Sequence, residues 1–140
     1  MLKNLNHVSG QCLCGAIQYQ VSGEVNAFHQ CHCSRCRLST GTAFAANIFT
    51  KPGNIRWLSG EFSIVRYELA SAKYFIKAFC SHCGSPVPVV TRNGKSLMIP
   101  AGSLSSTIDI SPDDNIFWND RASWFDAGRE VDCFAEYPNE

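Results

Sequence analysis

Phe79-Cys80-Ser81-His82-Cys83-Gly84 and Gly10-Gln11-Cys12-Leu13-Cys14-Gly15 decide how this chain is read. Each stretch places two cysteines a turn apart and ends in Cys-Gly. A metal-binding turn aims backbone N–H groups at thiolate sulfur, and the residue after its second ligand often needs a positive φ, which glycine adopts at little steric cost. The C-x-C and C-x-x-C pairs together supply four sulfurs, the donor set of a closed tetrahedral zinc site. Sixty-five residues lie between Cys14 and Cys80. Such a site would tie the first strand to the middle of the chain.

A third cluster lies between them, Cys31-His32-Cys33-Ser34-Arg35-Cys36-Arg37. Three sulfurs within six residues can wrap one metal, yet no glycine follows Cys33 or Cys36 and no fourth cysteine is near. Three protein ligands with one open position suit a catalytic zinc. His29, His32, His7 or the distant Cys133 could instead close the shell, making all seven clustered cysteines structural. A C-x-C pair is awkward to bridge by a disulfide, and the spacing departs from ferredoxin runs. His32 and His82 are expected to be exposed or to stand beside the ligands, and Cys133 to be a small buried hydrophobe. Arg35 and Arg37 adjoin the three-sulfur cluster and could hold an anion there.

The rest of the 140 residues reads as one β-rich domain, 1–140. Hydrophobic residues are 45% of the chain, enough for a core without disulfide staples. Twelve basic and twelve acidic residues give zero formal net charge, which argues against nucleic acid as the main partner. No apolar run is long enough to span a membrane. The first nine residues read as a polar leader with no secretory apolar region, so a reducing cytoplasmic setting is expected. Ile17, Tyr19 and Val21 alternate with Gln18 and Gln20, a half-buried strand. Further strands are expected at 42–49, 55–58, 63–69, 73–79, 87–91 and 96–99, and one helical turn at 34–40. Asn93-Gly94 signals a hairpin, and Pro86 and Pro88 place the strand before it at an edge. Leu104–Asp109 and Ile116–Phe125 stay ambiguous. Trp57, Trp118, Trp124 and Phe125 are expected mostly to pack in the core.

The three cysteine motifs, in this order, resemble the glutathione-dependent formaldehyde-activating enzyme family, which includes centromere protein V-like proteins. The resemblance covers about residues 7–126. It implies a mainly β fold of short twisted antiparallel sheets, sometimes called a β-tent, with zinc-binding loops. It also implies two zinc ions per chain: a structural one on Cys12, Cys14, Cys80 and Cys83, and a catalytic one on Cys31, Cys33 and Cys36. The implied activity is carbon–sulfur lyase chemistry, with glutathione and formaldehyde combining to S-hydroxymethylglutathione. Many relatives carry a histidine just before the Ile116-Phe117 pair, where this chain has Asn115, which points to a different substrate if that histidine serves substrate in them.

Physical chemistry agrees with a thiol substrate. Zinc on three thiolates is a weaker Lewis acid than zinc on three neutral imidazoles, so it acidifies water less. A thiol starts near pKa ~8.5 and needs only a modest push to ionise. The competing reading is a non-catalytic zinc-stabilised module that binds a protein. A zinc deaminase is excluded, because Phe79 rather than proline precedes Cys80 and no H-x-E or C-x-E element accompanies the ligands.

Overall fold

The computed structural model describes residues 3–138. The first two residues of the expected leader and the last two of the 1–140 range lie outside them. The strands are β1 (Lys3–Gln11), β2 (Gln18–Cys31), β3 (Ala45–Thr50), β4 (Ile55–Ser59), β5 (Ile64–Glu68), β6 (Ile76–Cys80), β7 (Val89–Val90), β8 (Leu97–Pro100) and β9 (Asp114–Ile116). Two short helices accompany them, α1 (Ser34–Thr40) and α2 (Phe125–Gly128). The fold is mainly β and its hairpins are antiparallel, as expected.

β2, fourteen residues long, organises the larger sheet, whose order is β1-β2-β3-β8-β7. Along one edge it pairs first with β4, through Gln18–Val21, and then with β3, through Val25–Cys31. Its other edge takes β1 and then β9. The change of partner falls at Gly23, whose φ of 135° suits glycine. A Cβ there would meet the Asn54 side chain at 2.3 Å. Asn54 belongs to the turn between β3 and β4 and accepts the Ser22 N–H. Its amide donates to Thr50 Oγ1 at 2.7 Å.

Two apolar clusters fill the interior. Tyr19, Val21, Phe28, Ile48, Leu97 and Ile99 anchor one. Ile17, Cys12, Ile76, Ala78, Cys80 and Val87 form the other, against the small β5-β6 sheet. Trp57 packs on both. The alternation of Ile17, Tyr19 and Val21 is as expected, all three being fully buried. The strand, expected over 15–21, begins three residues later, at Gln18, and runs on to Cys31.

Residues 3–9 are not a leader but most of β1. Their period-2 signal fails because the register shifts between Leu5 and Val8, so two residues three apart both point inward. His7 sits in that bulge at φ 49°. The proline-flanked β7 does lie at the end of the sheet order, and Gly94 turns the following hairpin at φ 74°. β9 begins at the end of the 111–114 segment, which reads as a loop, and reaches the ambiguous 116–125 stretch only at Ile116; it pairs parallel to β2, the exception to the antiparallel pattern among the described residues. Among the described residues no helix is long and apolar enough to cross a membrane.

Gly60 marks where β4 presses on the first cysteine turn. It has φ 74°, and a Cβ would stand 2.1 Å from the Ala16 carbonyl oxygen. Gly60→Ala is therefore expected to destabilise by about 2–4 kcal/mol, from left-handed strain plus a backbone clash. Chemical denaturation would measure it.

Candidate metal centres and cleft

The four-sulfur site is built by two matching turns. After β1, Cys12 N–H donates to Ile17 O and Gly15 N–H to Cys12 O, with Gly15 at φ 78°. After β6, Cys80 N–H donates to Ser85 O and Gly84 N–H to Cys80 O, with Gly84 at φ 75°. Backbone N–H groups of Ile17 and His82 point at the sulfurs of Cys12 and Cys80 at 3.3 and 3.4 Å. Ser85 Oγ joins the turns, accepting from Leu13 N–H at 3.1 Å and from the Cys83 thiol at 3.3 Å.

All four sulfurs converge within 4.8 Å of one another. Neighbouring pairs are 3.6 Å (Cys12–Cys14) and 3.9 Å (Cys14–Cys80) apart. Tetrahedral zinc with Zn–S near 2.3 Å requires sulfur separations of about 3.8 Å. The donors therefore fit a closed zinc site in both chemistry and spacing. Once Cys83 is ionised the Ser85 hydroxyl can donate to the thiolate, and this bond, helped by the Cys14 N–H, holds Cys83 at about 5. Cys12 also lies below its ordinary value: burial raises it, but the Ile17 N–H and the neighbouring thiols prevail.

The three-sulfur cluster uses a different device, which explains the missing glycines. Cys31 ends β2, and α1 starts at once with Cys33 as its N-cap, in extended conformation. Cys33 Sγ accepts the Cys36 N–H at 3.3 Å, the role usually filled by a Ser or Asp oxygen. The first helical turn thus replaces the glycine turn and brings Cys36 round to Cys31, again within 4.8 Å. Thr40 Oγ1–H donates to Cys36 O at 2.7 Å. The thiol hydrogen bond between Cys31 and Cys36 holds Cys31 at about 6, against the effect of burial, and pushes Cys36 up. Three crowded thiols that oppose one another's ionisation are the condition that metal binding relieves.

No histidine, aspartate or glutamate joins either sulfur group among the described residues. His7 is exposed in the β1 bulge, and Cys133 is exposed, not buried, its thiol reaching only Val131 O. The tail around Cys133 packs against too little to enclose it. His82 is exposed as expected and bonds Ser63 Oγ through Nε2.

His32 lies fully buried. Its Nε2 meets Asn115 Oδ1 at 2.9 Å, and Phe44, Trp118 and Phe125 surround the ring with centroids 4.9–5.1 Å away. Alternation turns it away from the face that Cys31 shares with His29. Trp118 and Phe125 thus pack as expected, while Trp124 is 59% exposed.

The three sulfurs border a cleft of about 750 Å³ that reaches across β3, α1, β6 and the segment between β5 and β6. Its cations are Arg35, Lys73, Lys77 and Arg92, and no carboxylate among the described residues lines it. Arg35 is exposed on the cleft wall, whereas Arg37 is not among the lining residues. His29 is the histidine that lines the cleft, its Nδ1 2.6 Å from Asp114 Oδ1. Sequence reasoning weighed it only as a spare ligand; its place two residues before Cys31 on a strand was the available signal.

Phe117 also lines the cleft, 59% exposed and held at φ 54°. An aromatic residue in the left-handed region carries strain of about 1–2 kcal/mol. Phe117→Gly should raise stability by about 1 kcal/mol by relieving that strain, measured by chemical denaturation.

The chain is 26% identical over 126 residues to an uncharacterized lyase of Schizosaccharomyces pombe, covering 89% of this chain and 88% of that protein. It shares its fold with a Rhodobacter sphaeroides protein of known crystal structure, at TM-score 0.57 and 22% identity, over 76% of this chain and 98% of the other. The sequence model of one family matches residues 7–120, which hold all three cysteine motifs and the strands that position them. This chain belongs to the glutathione-dependent formaldehyde-activating enzyme family.

Proposed function

We propose that the protein is a zinc-dependent carbon–sulfur lyase that joins a glutathione-like thiol to formaldehyde or a related small electrophile, and runs the same reaction in reverse. The observation that carries this reading is the three-thiol group, with no fourth protein ligand among the described residues, opening onto a cleft lined by four cations. Family membership and the lyase name of the fission-yeast relative support it. In this reading Cys12, Cys14, Cys80 and Cys83 hold a structural zinc and Cys31, Cys33 and Cys36 a catalytic one.

When bound at the three-cysteine group, zinc would supply a Lewis acid that favours substrate thiolate over thiol at neutral pH. The chain's own residues do the rest. Phe44 and Ile116 give the cleft apolar walls beside the sulfurs. Arg35 supplies positive charge near the reacting atoms, where the carbonyl oxygen gains negative charge as the S–C bond forms. Arg37 stands behind it on the same helix. His29, oriented by Asp114, is the proton carrier that the cleft offers. The S–H adds across C=O: sulfur bonds to carbon, and the proton ends on oxygen. The buried His32 takes no part in proton transfer; it fixes the chain between two of the ligands.

The test is exchange spectroscopy on glutathione and formaldehyde at equilibrium. The protein should accelerate interconversion with S-hydroxymethylglutathione above the spontaneous rate. An unchanged rate with the fully metallated protein contradicts the proposal. The module reading would instead be met by one inert ion and a cleft indifferent to thiols.

A further inference from the structure

The cleft, about 750 Å³, is larger than a small aldehyde and a two-carbon thiol require, and four cations stand among its largely apolar lining. Its four cations are not equivalent. Lys77 Nζ donates to Ser39 O at 3.1 Å, fastening β6 to the end of α1. Arg92 is consumed in a different way. Its Nη1 donates to the carbonyls of Leu69, Ala72 and Phe75 at 3.1, 2.7 and 3.4 Å, and its Nε lies 3.3 Å from Glu68 Oε1. Those carbonyls belong to the segment between β5 and β6, so one guanidinium from the hairpin of the large sheet grips the loop of the small one. The loop closes on itself as well, through Leu69 N–H to Phe75 O and Ala72 N–H to Leu69 O.

What that loop presents is Lys73 and Tyr74, both exposed and both lining the cleft. Lys73 Nζ lies over the Tyr74 ring, 5.2 Å from its centroid, and forms no ion pair among the described residues. Arg35, on α1, has no ion pair among them either. The two cations without an ion pair thus stand on separate elements of one wall: Arg35 on the helix that carries Cys36, Lys73 on a loop held in place by three carbonyl contacts from one arginine, which also pairs with Glu68 at the end of β5. A loop fastened so firmly gives its lysine a fixed address, which raises affinity by reducing the ordering required on binding.

Resting on the thiol reading above, we propose that Lys73 is a specificity-determining residue that binds an anionic group of the substrate thiol remote from its sulfur, and that Arg92 is the residue positioning it. The protein then selects thiols that carry a distant carboxylate over neutral thiols of equal reactivity. Arg92 touches no substrate; it acts through the loop.

The experiment compares glutathione, glutathione diethyl ester and 2-mercaptoethanol on the metallated protein. It reads KM and kcat, and also thiol affinity from the absorption of a cobalt-substituted centre. Lys73→Gln, at an exposed position, should keep the fold. It should raise KM and weaken cobalt-reported binding of glutathione about three- to fivefold, with kcat and 2-mercaptoethanol unmoved and the diethyl ester, which keeps its ammonium but no carboxylate, bound no more weakly. Arg92→Ala should lower the ratio of glutathione to diethyl-ester affinity by a similar factor, and Arg92→Lys should restore part of it. A selectivity ratio unchanged in Lys73→Gln, or one lost equally for 2-mercaptoethanol, overturns the assignment of Lys73. A lower melting temperature with an unchanged ratio in Arg92→Ala overturns the positioning role. If no thiol perturbs the cobalt spectrum even in the wild-type protein, the thiol reading itself falls and takes this inference with it.

Discussion

Cys80→Ser should yield no folded protein. Cys80 is fully buried between the β5-β6 sheet and the first cysteine turn, where its sulfur also accepts the His82 N–H. The site it completes is the link that joins the end of β1 to the end of β6. Structural zinc contributes about 10–16 kcal/mol of apparent binding free energy in small domains, comparable to or above the 5–15 kcal/mol by which a typical domain is stable at all. Removing one of four thiolates forfeits much of that and leaves a hydroxyl in an apolar site. The expected result is loss of near-ultraviolet circular dichroism, with bound zinc reduced by the ion of this site. Cys133→Ser is the internal control: its thiol is exposed and holds nothing, so stability should stay within about 0.5 kcal/mol. Soluble, cooperatively folded Cys80→Ser protein would remove the four-sulfur site from the architecture.

Cys33→Ser should do the opposite, sparing the fold and ending thiol-dependent turnover. Serine is a favoured N-cap, so its hydroxyl can take over the Cys36 N–H that the sulfur now accepts. The start of α1, its C-terminal cap at Gly41 and the Thr40 bond to Cys36 O remain available. The change lost is chemical: an alcohol does not replace a thiolate as a soft-metal ligand. Activity should fall more than about 100-fold, while the melting temperature moves little. Exchange spectroscopy and a thermal melt on the same sample separate the two effects. Retained turnover would exclude the three-cysteine cluster from the mechanism.

Local chemistry made much of this legible in the sequence. The Cys-Gly endings announced turns that the structure builds with Gly15 and Gly84 at positive φ. The alternation around Tyr19 announced the central strand, and Asn93-Gly94 the β7–β8 hairpin. What stayed hidden depends on contacts far along the chain. Leu5 and Val8 share a face only because a bulge intervenes, and no period reports a bulge. β9 has three residues and no apolar alternation of its own; it exists because His29–Cys31 offers a free edge. His32 lies between two cysteines and reads as exposed until Phe44, Trp118 and Phe125 arrive from three other segments. The cleft is hidden for the same reason. Arg92 and Lys73 are nineteen residues apart, and only the pairing of β5 with β6 and of β7 with β8 brings the loop under the guanidinium's grip.

Zinc-edge anomalous diffraction from crystals of the purified protein, before and after soaking in glutathione, tests the central claim most directly. The account predicts two ions per chain. One should rest on Cys12, Cys14, Cys80 and Cys83 and ignore the soak; the other should rest on Cys31, Cys33 and Cys36 and gain the glutathione sulfur as its fourth neighbour. A single ion, or a second one already sealed by a fourth protein ligand that glutathione does not displace, would contradict it.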